Sequence, residues 1–422
     1  TKPTKIPAKS IPFNKRGKGG FERALKTEII ERLKEAVRIR LISDVPLGAF
    51  LSGGIDSSAV VAMMAGMMDK PVKTFSIGFK EGAYNELRYA RMIAEKFKTD
   101  HTEFIVEPKA IDVIDKLVWH YNEPFADSSA IPSYYVSRLA VEHVKVVLNG
   151  DGGDENFAGY GRYAANNFSL KIQKFFPSSI AKALLPAVML LPHGKEPDNF
   201  FWKLKRFLQE YVYPKEMRNA HWLSHFTTEM KAGLYTDDFF QKVSHIDSFD
   251  LLMGKYASAE ADNFLDKTLY ADVMMYLPDD LLVKMDVASM ANSLEARSPF
   301  LDHEFMEFVA KIPAELKLRG KTTKYILKEA LRGILPDEVL FREKMGFAVP
   351  IDRWFRNELK EMVYDTLLDA KAIQRGYFKK EAVKKILDEH ASGRWNWHNH
   401  IWNLLMLELW HRMFIDRPAL SH

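Results

Sequence analysis

Two short stretches of the chain hold residues whose types and spacing could do chemistry on phosphate. The first is Ser52-Gly53-Gly54-Ile55-Asp56-Ser57-Ser58, and the second is Asn149-Gly150-Asp151-Gly152-Gly153-Asp154-Glu155. In each, adjacent glycines let the backbone turn tightly and approach a ligand closely, because neither carries a Cβ. The first stretch runs from apolar Ala49-Phe50-Leu51 into a helix predicted to begin near Asp56, with N-cap residue types at Asp56, Ser57 and Ser58. A strand, a glycine turn and a helix N-terminus together make an anion site, since free N–H groups and the helix dipole face the ligand. The spacing is neither that of a Walker loop, which needs Lys-Ser/Thr after its last glycine, nor the G-x-G-x-x-G of dinucleotide folds. A carboxylate inside an anion site repels phosphate unless a divalent cation lies between them. Asp56 therefore implies Mg2+ together with a polyphosphate. Seen singly, each stretch has a bland alternative: an unliganded tight turn for the first, an acidic surface turn for the second. Their recurrence after two strands of one chain argues against both.

The elements that must position these turns read as alternating strands and helices. Strands are predicted over residues 72–79, 102–106 and 145–148, and helices over 86–97, 110–120 and 133–142. Such alternation builds right-handed βαβ units and an α/β, doubly wound parallel sheet, whose ligands bind beyond the carboxyl ends of the strands. Both glycine turns fall at such ends. Ahead of them, Leu25, Ile29, Leu33, Ala36, Val37 and Leu41 recur at helical spacing over 21–41. From 166 onward the pattern is helical and rich in aromatics, and 401–414 reads as an apolar helix docked on the core. The predicted organisation is a basic linker or tail over 1–20, an α/β core over 21–165, and a mainly helical part over 166–422.

Composition narrows the class. The 422 residues carry a net charge of +4 and no cysteine, which excludes disulfides, thiolate metal sites and a cysteine nucleophile within this chain. The small net charge gives no argument for nucleic acid, and the cysteine-free composition fits a cytoplasmic protein. Residues 1–20 hold six Lys and Arg, no acid, and several Pro and Gly, the composition of a solvated linker. No membrane partner is expected: the most apolar stretch, 180–191, is shorter than a span and contains Lys182 and Pro186, so it reads as part of a buried or surface helix pair.

Five motifs in order resemble one family. Ser52-Gly53-Gly54-Ile55-Asp56-Ser57 is similar to the pyrophosphate loop of ATP pyrophosphatases. Ser43-Asp44-Val45-Pro46-Leu47-Gly48, Gly150-Asp151-Gly152-Gly153-Asp154-Glu155, Ser293-Leu294-Glu295-Ala296-Arg297-Ser298-Pro299-Phe300-Leu301-Asp302 and Arg342-Glu343-Lys344-Met345-Gly346-Phe347 narrow the match. Together they resemble the C-terminal synthetase domain of glutamine-hydrolysing asparagine synthetases, from about residue 21 to 414. The resemblance implies a carbon–nitrogen ligase that adenylates a carboxylate with ATP, releases pyrophosphate, and passes the acyl group to ammonia. The most direct expectation is aspartate and glutamine-derived ammonia giving asparagine. It also implies roles. Ser52, Gly53, Gly54, Ser57 and Ser58 would hold pyrophosphate, and Asp56 and Asp154 would hold Mg2+. Leu51, Ile77, Asn149 and Gly150 would meet the adenosine, Asp151 would support adenylation and amine deprotonation, and Lys344 would stabilise charge on the α-phosphate and the tetrahedral intermediate.

Two departures from the family pattern bear on the substrate. Asn149-Gly150-Asp151 stands where the best-known bacterial asparagine synthetases have Ser-Gly-Glu, and aspartate is one methylene shorter. The family's N-terminal glutaminase domain uses an N-terminal cysteine, so this chain is expected to be the synthetase half, with the basic segment as connector and a glutaminase domain or subunit as partner. Alternatives within the class are β-lactam synthetase-like, lasso-peptide cyclase-like or sugar-acid amidating relatives. An RNA-modifying ATP pyrophosphatase is the alternative from another class, and it would call for a catalytic cysteine or an RNA-binding appendage. Arg297 is the candidate partner for the acceptor carboxylate, against a structural salt bridge to Glu295 or Asp302. His398 and His400 point about 200° apart on a helix, so with Trp395, Trp397 and Trp402 they read as a structural cluster, not a metal site.

Overall fold

The computed structural model describes residues 17–79, 86–106, 113–190, 200–342 and 349–416. The chain forms two compact units, each assembled from separated segments: Thr1–Glu107, Ser129–Ala164 and Lys255–Ala348 in the first, Pro108–Ser128, Ala165–Gly254 and Val349–His422 in the second.

The first unit is built on five parallel strands: β1 (Leu47–Phe50), β2 (Lys73–Phe79), β3 (Asp100–Val106), β4 (Val146–Leu148) and β5 (Glu295–Arg297), in the order β3-β2-β1-β4-β5. The chain steps outward from β1 through β2 to β3, then returns to the other side of β1 as β4. That reversal is the switch point of a doubly wound sheet, and a crevice opens there at the carboxyl ends of β1 and β4. The α/β class expected from the alternation is the observed one. β5 belongs to the Glu295-Ala296-Arg297 motif and was not predicted as a strand; three residues are too short to show a period.

Helix α1 (Gly17–Arg40) starts at Gly17, ahead of the predicted residue 21, and buries Leu25, Ile29, Leu33, Ala36 and Val37 on one stripe. That stripe packs in one cluster with α2 (Ile55–Ala65) and with Ile326, Leu327 and Leu331 of the helix Tyr325–Leu331. Helices α3 (Leu87–Phe97) and α5 (Ala130–Ala140) complete the layers near the sheet, and α6 (Gly153–Phe157) follows β4. The arrangement matters for the site: α1 holds helix Tyr325–Leu331 in place, aided by Lys26 pairing with Glu329 at 3.0 Å.

The second unit is helical. It includes α4 (Ile114–Tyr121), most of α7 (Gly161–Ile172), α8 (Ser178–Met189), α9 (Phe200–Tyr211) and the C-terminal helix His398–Trp410 with a π-helical turn His411–Ile415. All eight tryptophans of the chain lie in its segments. Among the described residues, no helix is long and apolar enough to cross a membrane.

Candidate active site

The two glycine turns meet at the switch point. Leu51 leaves β1 with its N–H on the Phe75 carbonyl at 2.9 Å, and Asn149 leaves β4 with its N–H on the Arg297 carbonyl at 2.9 Å. β2 runs on past the end of β1, which brings Ile77, nearly buried, alongside the first turn. Gly53 has φ +69°, and a Cβ there would sit 2.5 Å from the Ala90 amide nitrogen; the turn closes against α3 only because residue 53 is glycine. Gly150 serves the other side: a Cβ would lie 2.7 Å from the Ser57 nitrogen, so the second turn presses directly on the start of α2.

The cap of α2 is Gly54, in extended conformation, rather than Asp56 or Ser57. Asp56 stands in the first turn, where its charge complements the helix dipole. The serines fasten the loop instead. Ser52 Oγ lies 3.1 Å from Ser57 Oγ and accepts from the Gly54 N–H at 3.2 Å, while the Ser52 N–H donates to Ser57 Oγ at 3.3 Å. Ser58 is fully buried, and its hydroxyl has no hydrogen-bond partner among the described residues.

Asp56 and Asp154 converge, as their placement on neighbouring strand ends requires, and a residue the sequence did not single out lies between them. Lys324 Nζ bonds to Asp56 Oδ2 and sits 2.7 Å from Asp154 Oδ1. Lys324 is 4% exposed and occupies the left-handed region at φ 52°, just ahead of helix Tyr325–Leu331. Burial alone would push its ammonium down, but the carboxylates of Asp154 and Asp56 outweigh burial and hold it well above the ordinary lysine range. No spacing rule marks this lysine. Lysines are rarely buried, and Lys324 lies far along the chain from both acids.

This geometry fits a divalent ion carried by a nucleotide. The donors are carboxylate oxygens, and among the described residues no group of three or more His, Cys, Asp or Glu could hold a metal by itself. Mg2+ characteristically takes one or two carboxylates and completes its shell with water and substrate phosphates. Two acids beside a helix N-terminus and an unpartnered serine hydroxyl match that requirement.

Asp151 faces the same crevice from the second turn. Asn149 Nδ2 donates to its carboxylate at 2.7 Å, and Ser298 Oγ fixes that amide by donating to Asn149 Oδ1 at 2.5 Å. Desolvation raises the Asp151 carboxyl to about 6; Asp56 and Asp154 add to the shift, against the opposing charge of Lys284. A carboxyl titrating there can hold or accept a proton near neutral pH. On the rim, Arg342 Nη1 pairs with Glu86 at 2.5 Å and its guanidinium lies over Tyr89.

Two candidates stand apart. Arg297 donates to Glu295 at 2.7 Å and to the carbonyls of Arg40 and Ile42 at 2.8 Å each, so its fork ties β5 to the end of α1. That is the structural salt bridge to Glu295; Asp302 pairs with Arg40 instead, at 3.1 Å. The Arg297 donors are engaged by these partners, on the framework side of β5. Lys344 lies outside the described residues.

In the second unit His400 packs edge-on against Trp397 and Phe226, with ring centroids 4.7 and 4.8 Å apart, and His398 Nδ1 meets Asn396 Oδ1 at 2.8 Å. Desolvation lowers His398 to about 4 and His400 to about 3. These are neutral aromatic packing groups, as the helical geometry predicts.

The chain is 33% identical over 411 residues to Asparagine synthetase [glutamine-hydrolyzing] 1 of Bacillus subtilis, covering 95% of this chain and 62% of that protein. It is 33% identical to a putative asparagine synthetase [glutamine-hydrolyzing] of Mycobacterium bovis, covering 94% of this chain and 59% of that protein. A more distant relative is an amidase of Penicillium rubens, chyE, at 28% identity, covering 84% of this chain and 57% of that protein. The chain thus spans about three-fifths of the length of the curated relatives it matches. The family profile described as Asparagine synthase matches residues 28–412, and the chain belongs to that family.

Proposed function

We propose that this chain carries ATP-dependent, AMP-forming amide synthesis through a carboxylate adenylate, with aspartate and ammonia released from glutamine giving asparagine. The observation that carries the reading is the convergence of Asp56 and Asp154 on one point beside the helix N-terminus of α2, at the switch point of the sheet. Ser52, Gly53, Gly54, Ser57 and Ser58 form the cradle for pyrophosphate, with backbone N–H groups and hydroxyls of the turn as donors. Leu51, Ile77, Asn149 and Gly150 line the adenosine side at the strand ends. Asp56 and Asp154 would hold Mg2+, which when bound neutralises charge on the phosphates and the departing pyrophosphate.

In this reading Lys324 is the cation that keeps the two acids compatible before the nucleotide arrives, and it is free to turn toward phosphate once they take a metal. Asp151, raised to about 6, accepts a proton from the attacking amine. Lys344 supplies a fixed positive charge where oxygen becomes negative in the transition state. No acceptor role goes to Arg297. The glutaminase activity belongs to a domain or subunit beyond this chain, and the site is assigned to the cytoplasm.

ATP–pyrophosphate exchange tests the reading, run on the chain with a panel of carboxylic acids and Mg2+. Exchange with aspartate, followed by asparagine on addition of ammonium, is expected. Exchange with a different acid alone would keep the adenylation chemistry and overturn the asparagine assignment. The panel is warranted because the relatives' names include both asparagine synthetases and amidases.

A further inference from the structure

Helix α8 of the second unit has two apolar sides, and only one has a partner among the described residues. Its inner side is fixed on α9: the Phe176 and Tyr211 rings stack at 6.1 Å, Tyr211 Oη donates to the Phe176 carbonyl, and Lys205 Nζ donates to the Met189 carbonyl at 3.1 Å. Ala181 is the one α8 side chain fully removed from water. The outward stripe, at i, i+3, i+4 and i+7, is Ile180, Ala183, Leu184 and Ala187, all exposed. Phe175 before the helix is 89% exposed and Leu190 after it 87%, so the apolar strip extends past both ends. Single exposed apolar residues are ordinary; a continuous strip of large ones marks a contact surface.

Charge identifies what the strip contacts. From 163 to 195 the sequence contains Lys171, Lys174, Lys182 and Lys195 and no acid. Lys171, Lys174 and Lys182 are all exposed, as is Lys203 at the start of α9. Glu196 and Asp198 follow Lys195 in the sequence, but among the described residues from 163 to 209 every exposed charged side chain is a lysine. Such a face fits an anionic bilayer surface: the apolar residues enter the headgroup boundary, and the lysines extend to lipid phosphates. Pro186 and Lys182 exclude a spanning role, and they are compatible with a helix lying in the plane of the interface.

We propose that α8, with Phe175 and Leu190 at its ends, is a peripheral docking site for an anionic lipid bilayer, so that the α/β ligase works at a membrane surface. The proposal stands apart from the reaction at the switch point, whose residues it does not use.

The test is co-sedimentation of the 422-residue chain with vesicles of phosphatidylcholine alone or with about one-third phosphatidylglycerol. Binding to the anionic vesicles, lost at high salt and absent from the neutral ones, is the expected result. Each lysine near such a surface contributes about 1 kcal/mol, so Lys171→Glu with Lys174→Glu and Lys182→Glu should weaken binding at least a hundredfold. Ile180→Asp with Leu184→Asp should abolish it as well, with the tryptophan-monitored melting curve and the ATP–pyrophosphate exchange rate unchanged. No binding to anionic vesicles, equal binding to neutral ones, or indifference to either set of substitutions would overturn the proposal. Lipid-free self-association abolished by Ile180→Asp with Leu184→Asp would overturn it too, assigning the strip to a second copy of this chain.

Discussion

The acids around Lys324 and the histidines around Trp397 are both clusters of ionisable groups taken out of water, and they manage charge in opposite ways. Asp56 and Asp154 remain charged because a buried ammonium lies between them. His398 and His400 stay neutral because desolvation makes protonation costly and outweighs the one opposing carboxylate, Asp352, near His398. On the proposed function, the first arrangement exchanges its ammonium for a metal–nucleotide. The second has nothing to exchange. Burial of ionisable groups therefore marks a reactive site here only where the charge is kept.

The largest expected effect lies in the acid cluster. Asp56→Ala or Asp154→Ala removes a carboxylate from the proposed metal position, and ATP–pyrophosphate exchange should fall about a thousandfold or more, as loss of several kcal/mol of charge stabilisation requires. The corresponding change in the other cluster, His400→Gln, should leave exchange within about twofold. Equal losses from both would erase the distinction drawn between them.

Next comes Lys324→Met, which leaves two part-buried carboxylates facing each other. Breaking a buried ionic cluster on one side costs about 3–5 kcal/mol, so the first unit should open more readily by hydrogen exchange in α1 and α2. Added Mg2+ should restore more of that protection in the variant than it adds to the parent protein, since no ammonium then competes for the acids. If Mg2+ shifted both proteins equally, Lys324 would not share the metal position.

The two clusters also predict opposite dependence on pH across one window. Asp151 titrates at about 6 when folded, above the ordinary aspartate value of 3.8, so the folded state binds the extra proton. Its contribution to stability is present at low pH and is lost as pH rises from about 4 to 6. His398 and His400 titrate at about 4 and 3 when folded, below 6.5, so the unfolded chain binds the extra protons. Their effect runs the other way: stability is gained as pH rises from about 4 to 6.5. All eight tryptophans lie in the second unit, so their fluorescence during urea unfolding should report the rising slope. Hydrogen exchange in the first unit should report the falling one. Asp151→Asn should flatten the falling slope and His398→Gln with His400→Gln the rising slope, each by about 1 kcal/mol or more across the window.

A smaller effect separates framework from site. Arg297→Lys keeps a charge but loses the fork that holds Glu295 and the carbonyls of Arg40 and Ile42. A loss of about 1–2 kcal/mol in stability, with the KM for the acceptor acid unchanged, is expected. A raised KM at unchanged stability would return Arg297 to the acceptor site.

The sequence by itself determined the parallel sheet, both glycine turns and their place at strand ends. Those features are local: two glycines followed by an acid state their turn within a few residues, and strand–helix alternation leaves few topologies. β5 was not legible because three residues carry no period, and the start of α1 was misplaced because Gly17, Gly19 and Gly20 give a weak helix signal. Tertiary structure alone decided what meets what. Lys324 reaches the acids because α1 packs helix Tyr325–Leu331 against the sheet, and Arg297 is spent on the end of α1 because β5 lies beside β4. A lysine or an arginine has the same side chain whether it faces solvent, a carbonyl or two carboxylates. Its surroundings are set by long-range packing, which no spacing of neighbours along the chain records.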